Sequence, residues 1–533
     1  MINKGDLLAS SPNATLPRER RQRLPARGVI PTFTSRPADT SPQAGIPLLR
    51  LLALTAAALV IHGYHLGVED AEIYVPAVKK FLHPALYPFA PEFFLSHGRL
   101  SLFSAIVALT AKISHMPIDW AIFAWYMASL FATLFSCWML ASACFSSQRA
   151  VWSSMLMMTA VLTMPATNTG LLLVDPYLTA RSISTPLTLI ALAAILERRY
   201  IWAGVAIGLT ATVHIQMVVY LLFLIAVLWL GERRKAIARE PVPALASAGA
   251  ILPAGFISGP ATGNYREALF SRDYFFLYNW HWYHWLGMLA PLAILAWFWR
   301  GNVRGTRSPF HRISFALILF GVLSIAVAAV MASSDRFEMF ARLQPLRSFH
   351  VITFIFILLF AGVMGECLGG KRRWAIAAIF ISLATGMFFV NRQTYPHSPQ
   401  IEFPSASSSN SWINALLWVR RNTPTDAVFA VDSRYFEDDL TDVHGFRAIS
   451  ERSSLADYYK DGGVVSLFPS LADEWKEMSN ATYGLNHFTL DRFRVLKAEH
   501  PEVSWTVIHG PAPAGMDCPY LQRGYAVCQM PAL

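Results

Sequence analysis

Apolar residues run through most of this chain in unbroken stretches, without the polar returns every three or four positions that mark a surface helix. The stretches 201–230, 310–332 and 346–365 reach the roughly 20 residues that a helix needs to cross a bilayer. The first run covers 47–64, and further candidates lie at 99–115, 119–145, 150–166, 183–196, 201–213, 214–230, 243–260, 285–299, 310–332, 346–365 and 374–390. The pattern predicts a polytopic α-helical membrane protein with eleven or twelve transmembrane helices. One of the early segments, or the short 183–196, is expected to be broken, tilted or re-entrant, because full crossings by 99–115 and 119–145 put Arg149 outside and Asp175 inside. The runs 201–213 and 214–230 also read as one kinked helix plus a partial one.

After 390 the pattern changes. Residues 391–409 are rich in Pro and Ser and read as a linker, and 410–533 carries 27 charged residues, 16 of them acidic. Ser411 is placed to cap a helix that ends at Asn422-Thr423-Pro424, and 427–431 reads as a buried strand. Helical spacing near 470–479 and 488–498 and strands near 503–508 and 524–528 complete a small α/β or α+β module with enough polarity to stand alone.

Composition sharpens this picture. Of 533 residues, 54% are hydrophobic and 15% charged, against about a quarter charged in soluble chains, which excludes a soluble globular enzyme. The net charge of +10 is not a nucleic-acid footprint, because 1–46, 149, 197–199, 232–240, 300–312 and 371–373 hold 21 Lys/Arg against 6 Asp/Glu. Basic inter-helix loops are the positive-inside pattern. They predict a disordered cytoplasmic arm over 1–46, an outward first crossing, an external loop over 65–98 and an external C-terminal domain, with a bacterial plasma (inner) membrane as the expected location. Of five cysteines, Cys518 and Cys528 lie ten residues apart in the polar region and could pair in an oxidising compartment.

The chemistry concentrates after the first helix, where Glu69, Asp70 and Glu72 put three carboxylates within four residues, followed by Tyr74. Such groups repel one another and require a cation, a basic partner or a shared proton; a solvated acidic loop is the bland alternative. The remainder of the loop, with Phe81, Tyr87, Phe89, Phe93 and Phe94 among three prolines, suits short amphipathic helices lying in the interface. Asp175 and Arg181 share a second loop, where they read as an ordinary ion pair or a helix cap. Arg336, Arg342, Arg347 and His350 form a third group, in which a guanidinium would bind a lipid phosphate or simply snorkel to the headgroups. Aromatic residues 274–285 read as an interfacial belt, with His281 and His284 a weak metal pair and His214 with Gln216 a buried polar pair.

An outward first helix, the acidic motif, an amphipathic external loop, many later spans and an external C-terminal domain together resemble the GT-C superfamily of polyprenyl-phosphate-sugar-dependent glycosyltransferases. Many members similar to protein mannosyltransferases and aminoarabinose transferases carry Asp-Glu followed by Tyr. Here Asp70 matches the acidic position, while Ala71 replaces the adjacent Glu and Glu72 follows. The resemblance implies catalytic roles for Asp70, Glu72 and Glu69, with Asp70 or Glu72 as base or as ligand of a divalent cation. It implies substrate binding by Asp175, Arg181, Arg342, Arg347 and His350. The implied partners are the lipid bilayer, a polyprenyl-phosphate sugar donor and an acceptor glycan, lipid or protein, with no nucleic acid. A transporter or flippase and a non-catalytic envelope assembly protein remain the rival readings.

Overall fold

A computed structural model describes residues 46–237, 259–301, 308–368 and 373–532. The arm at 1–45, nearly all of the run 243–260 and parts of three basic loops lie outside the described residues. The described chain is mostly helical, and every other apolar run coincides with a helix.

The helices are α1 (Leu48–His62), α2 (Ala71–Leu82), α3 (Glu92–Gly98), α4 (Phe103–Ser114), α5 (Ile118–Cys144), α6 (Gln148–Val161), α7 (Ala180–Leu196), α8 (Tyr200–Val213) and α9 (Ile215–Ile237). Beyond them come Gly263–Phe270, Trp282–Gly301, Pro309–Met331, Phe349–Cys367 and Arg373–Thr394. Among the described residues, four helical stretches are long and apolar enough to cross a membrane: Ile118–Cys144, Pro309–Met331, Asp335–Cys367 and Trp374–Thr394. Several of the others are shorter because the chain breaks them. The segment expected at 99–115 is the second arm of a pair, α3 and α4, bent by 92°. At 1.5 Å per residue α4 spans about 18 Å, well short of the roughly 30 Å hydrocarbon layer. The run 150–166 ends in a hairpin of β1 (Pro165–Ala166) and β2 (Leu171–Leu172), and 201–230 breaks at His214, whose extended backbone separates α8 from α9.

One apolar core runs through the helices. Hydroxyls inside it turn back on their own helix: Thr133 donates to the Ser129 carbonyl at 2.8 Å, Thr159 to Met155 at 2.9 Å and Thr210 to Ala206 at 2.8 Å. That satisfies them where no water is at hand. Gly365 lets the helix Phe349–Cys367 approach α6 closely, since a Cβ there would collide with Ser153 and the Arg149 carbonyl.

The C-terminal module is a mixed five-stranded sheet in the order β4-β3-β5-β7-β6. Its strands are β3 (Val428–Ala430), β4 (Ser453–Ser454), β5 (Val503–His509), β6 (Tyr520–Gln522) and β7 (Tyr525–Gln529). β3 runs parallel to β4 and β5, whereas β7 is antiparallel to β5 and β6. The helix Ser411–Asn422 is capped by Asn410, which accepts from Trp412 and Ile413 N–H, and not by Ser411. Cys518 and Cys528 form a disulfide.

This module does not stand apart. Phe93, Phe94 and Tyr87 share an apolar cluster with Val464, Trp475, Phe493 and Ile508. The loop 79–94 is therefore largely covered by the module, which supplies the apolar surface that buries Tyr87, Phe93 and Phe94, whereas Phe81 stays 59% exposed. Tyr87 donates to the Arg447 carbonyl at 3.0 Å, and the Phe89 amide donates to Ser453 at 3.2 Å. The linker is equally fixed, with Ile401 bridging Tyr64 as a short parallel pair.

The firmest contact is Glu72, 1% exposed, whose carboxylate accepts from the Arg447 side chain and backbone and from the Ala448 amide, each at 2.9 Å. A Cβ at Gly445 would fall inside that carboxylate. Removing one partner of a buried pair strands the other charge, at a cost of about 3–5 kcal/mol. Glu72→Ala is thus expected to lower thermal stability by that order and to expose the C-terminal module to limited proteolysis; an unchanged melting midpoint and cleavage pattern would contradict the docking. Thiol counting offers a second check. The denatured, non-reduced chain is expected to show three free thiols, Cys137, Cys144 and Cys367, and five after reduction.

Candidate functional site

The acidic motif divides as α2 begins. Asp70 occupies the N-cap position but makes no side-chain cap hydrogen bond, and Glu69 before it adopts a left-handed φ of 52°. A non-glycine residue there costs roughly 1–2 kcal/mol, and the fold holds it through the Glu69 amide, which donates to the Val443 carbonyl at 3.0 Å. Glu72 lies two residues beyond Asp70, about 200° around the helix, and so faces Arg447 while Glu69 and Asp70 face the other way.

On that second side a cationic group surrounds Asp70. One carboxylate oxygen lies 3.4 Å from Arg181 Nη2 and the other 3.3 Å from Lys460 Nζ, which also pairs with Glu69. Arg181 reaches Asp175 at 2.8 Å, and Asp175 accepts from Thr179 as well. Burial alone would push the Asp70 carboxyl up, but Lys460, Arg181 and Arg347 outweigh it and hold it well below the usual carboxylate range. The Asp175 carboxyl goes the other way: burial raises it, Arg181 only partly offsets this, and Asp70 adds to the rise. Burial would discharge Lys460, yet Glu69 and Asp70 keep its ammonium protonated beyond the ordinary lysine range.

Arg347 approaches from the short helical turn Pro345–Ser348. Its Nε donates to the Thr169 carbonyl at 3.3 Å and its Nη2 to the Tyr274 hydroxyl at 3.1 Å, with the guanidinium 5.4 Å from the Tyr274 ring centre. These partners are neutral, so its charge is felt by Asp70 without being paired to a carboxylate in this set. Arg272 likewise donates to a neutral group, the Tyr459 carbonyl, beside Lys460. Around the three carboxylates Glu69, Asp70 and Asp175 the cations Arg181, Lys460, Arg347 and Arg272 leave a positive excess.

Next to this group lies a cavity of about 550 Å³. Its walls include Val219, Phe223, Phe320, Val327 and Met331, and its head is made by Tyr74, Ala180 and Ser348. These last three are close chain neighbours of Asp70, Arg181 and Arg347. Val219 and Val327 are 56% and 44% exposed, so the cavity opens sideways between helices. Arg342, His97, His214 and Gln216 also line it. Gln216 bonds the Tyr220 hydroxyl and Gln344 and not His214.

The structure therefore brings Asp70, Asp175 and Arg181 into direct contact, joins Glu69 to them through Lys460, sets Arg347 beside them and puts Arg342 on the cavity wall. It separates Glu72, which is consumed by Arg447. His350 is buried and turned to the Leu173 carbonyl at 3.0 Å, away from the charged group. A divalent cation does not fit Asp70 with Glu72, since the two carboxylates point apart and are occupied by basic groups and amides. Among the described residues no three His, Cys, Asp or Glu side chains converge to hold one. The His281 amide donates to His284 Nδ1 at 3.2 Å near an exposed Trp282, whereas Phe275, Phe276 and Trp280 of the expected aromatic belt are buried inside the protein.

Lys460, Arg272, Tyr274 and Thr169 escape a reading of the sequence. Lys460 stands 390 residues from Asp70, inside an unremarkable Tyr-Tyr-Lys-Asp stretch of the C-terminal module, and only the docking of that module brings it to the acidic loop. Comparison with protein-family models and with curated proteins finds no match.

Proposed function

We propose that the chain is an integral membrane glycosyltransferase that takes an outward-facing polyprenyl-phosphate-linked sugar and transfers the sugar to a lipid, glycan or protein acceptor of the cell envelope. The observation that carries the reading is the junction of Asp70 and its cations with the head of the 550 Å³ apolar cavity. The donor has the matching polarity: a long apolar chain, a phosphate and a sugar at their boundary. The volume lies within the range of ordinary ligand sites, and the lateral opening lets the remainder of a long chain continue into lipid.

In this reading Arg347, Arg181 and Lys460 hold the phosphate, guanidinium groups being suited to bidentate contact. The acceptor hydroxyl attacks the anomeric carbon, the bond from that carbon to the phosphate oxygen breaks, and the lipid phosphate leaves with the electron pair. Asp70 takes the hydroxyl proton. A carboxylate clamped by two cations is a weak base, and efficient bases titrate near the working pH. A donor phosphate drawing the same cations to itself would restore Asp70 to that task, so the donor is expected to bind before the acceptor. Glu69 keeps Lys460 in place, and Glu72 holds the loop through Arg447.

The orientation belongs to the same proposal. Basic inter-helix loops favour the inside, and a disulfide between Cys518 and Cys528 suits an oxidising compartment. Because α4 is too short to cross, the loop with Asp175 need not be inside, which removes the charge conflict in the early spans.

Two substitutions test the chemistry with purified protein and polyprenyl-phosphate sugars. Asp70→Asn is expected to lower turnover by about two to four orders of magnitude while the protein still melts as wild type; full activity would exclude the base. Arg347→Gln removes a charge-assisted contact of about 1.5–3 kcal/mol and is expected to raise KM for the lipid donor roughly 10- to 100-fold with kcat less affected. An unchanged donor KM would take Arg347 out of the phosphate site.

A further inference from the structure

A second ionic contact joins three separate parts of the chain. His444 of the C-terminal module is fully buried. Its Nδ1 lies 2.9 Å from the Thr441 carbonyl, and its Nε2 lies 2.9 and 3.0 Å from the two oxygens of Glu402 in the linker. A carbonyl oxygen only accepts, and so does an ionised carboxylate. Both ring nitrogens therefore carry hydrogen. Glu402 also accepts from the Leu66 amide and from His65 Nδ1, each at 3.0 Å, so it is saturated with donors and the proton stays on the His444 ring. His65 presents its other nitrogen, buried, to no hydrogen-bond partner.

This contact grips the backbone that carries the acidic motif. Tyr64 pairs with Ile401 and Val68 with His444. The Glu402 amide donates to the Tyr64 carbonyl at 2.8 Å, the Gly445 amide to the Gly67 carbonyl at 2.8 Å, and the Glu69 amide to the Val443 carbonyl at 3.0 Å. Residues 64–69 thus form a turning strip, bridged at Tyr64 and Val68 and pinned between the linker and the module, and Asp70 is the next residue.

We propose that the His444 imidazolium and Glu402 form a proton-operated clasp that positions the strip 64–69, and through it Asp70, so that loss of the His444 proton loosens the loop. His444 is a positioning residue in this scheme. The ionisable groups facing the clasp are Glu402 and His65, then Asp442 beside His444, whose carboxylate accepts from the His397 amide at 3.0 Å. Tyr395 stacks on His65 at 3.9 Å, and Tyr64 lies under the field of Glu402. Burial works against a charged His444, but Glu402, the Thr441 carbonyl and Asp442 outweigh it and raise its pKa. Burial likewise opposes an ionised Glu402, and His444 and His65 bring it down to about 2. A histidine with a raised folded-state pKa contributes stability that is complete below its ordinary value of about 6.5 and lost as pH rises through the raised one. The loosening therefore falls on the alkaline side.

The test uses the full-length wild-type chain in nanodiscs, read by deuterium exchange at the histidine ring carbons and at backbone amides between pH 5 and 10. His444 is expected to titrate above 6.5. Amide protection of peptides covering 64–70, corrected for intrinsic exchange, is expected to fall at least tenfold through the same midpoint. Glu402→Gln should bring the His444 midpoint down and abolish the pH dependence of loop protection; the wild-type measurement decides the matter even where that variant folds poorly. A His444 midpoint at or below 6.5, or loop protection that ignores it, would overturn the clasp. The proposal draws its interest from Asp70 as the reacting group but its readout needs no turnover. Absence of transferase activity in wild-type protein with an intact exchange transition would count against the proposed function and for the clasp.

Discussion

Three carboxylates within four residues cannot share one short turn after α1 unless positive charge reaches each of them, and this requirement organises the half of the molecule that holds the C-terminal module. Arg181 supplies Asp70 from the start of α7. The other two cations come from the C-terminal module: Lys460 for Glu69 and Asp70, and Arg447 for Glu72. The module is therefore built into the site. Its apolar face covers Tyr87, Phe93 and Phe94 of the loop after α2, and its polar face completes the charge balance that the acidic motif cannot provide itself.

The same division explains how two very different environments arise from one motif. Glu72 is enclosed by amides and a guanidinium, and its burial pushes its carboxyl up from the ordinary value despite them. Asp70, whose side chain is 30% exposed, is held ionised by cations whose charge exceeds that of the local carboxylates. One residue is committed to assembly and the other is free to meet a ligand. A phosphate at the head of the neighbouring apolar cavity would use the positive excess and release Asp70 from it, which ties the resting electrostatics to the proposed order of binding.

Much of the architecture was legible in the chain. Apolar runs marked the helices because in lipid the backbone must satisfy its own hydrogen bonds, and residues 427–431, 503–508 and 524–528 were strands because of their β-branched and aromatic content. Asp175 with Arg181 was legible too, since six residues of loop and first turn bring them together locally. The breaks were legible in part: the boundary at 213/214 read as a kink and the charge conflict required one early segment to be broken, but nothing in the sequence said that the 92° bend falls between α3 and α4. The opposite facing of Asp70 and Glu72 could have been read from helical periodicity, had α2 been placed at Ala71. Lys460, Arg272 and His444 could not, because nothing local in the sequence says which distant basic residue will answer a given carboxylate.

The docking of the module on the acidic loop is tested most directly by a double-mutant cycle on Glu72→Gln and Arg447→Met, read as thermal stability of the full chain. Residues in one buried ionic network couple by about 0.5–3 kcal/mol, and with both side chains buried the coupling here is expected at the upper end of that range, with the double variant little worse than either single one. Strictly additive losses, with a coupling near zero, would contradict a site assembled jointly by the membrane helices and the C-terminal module.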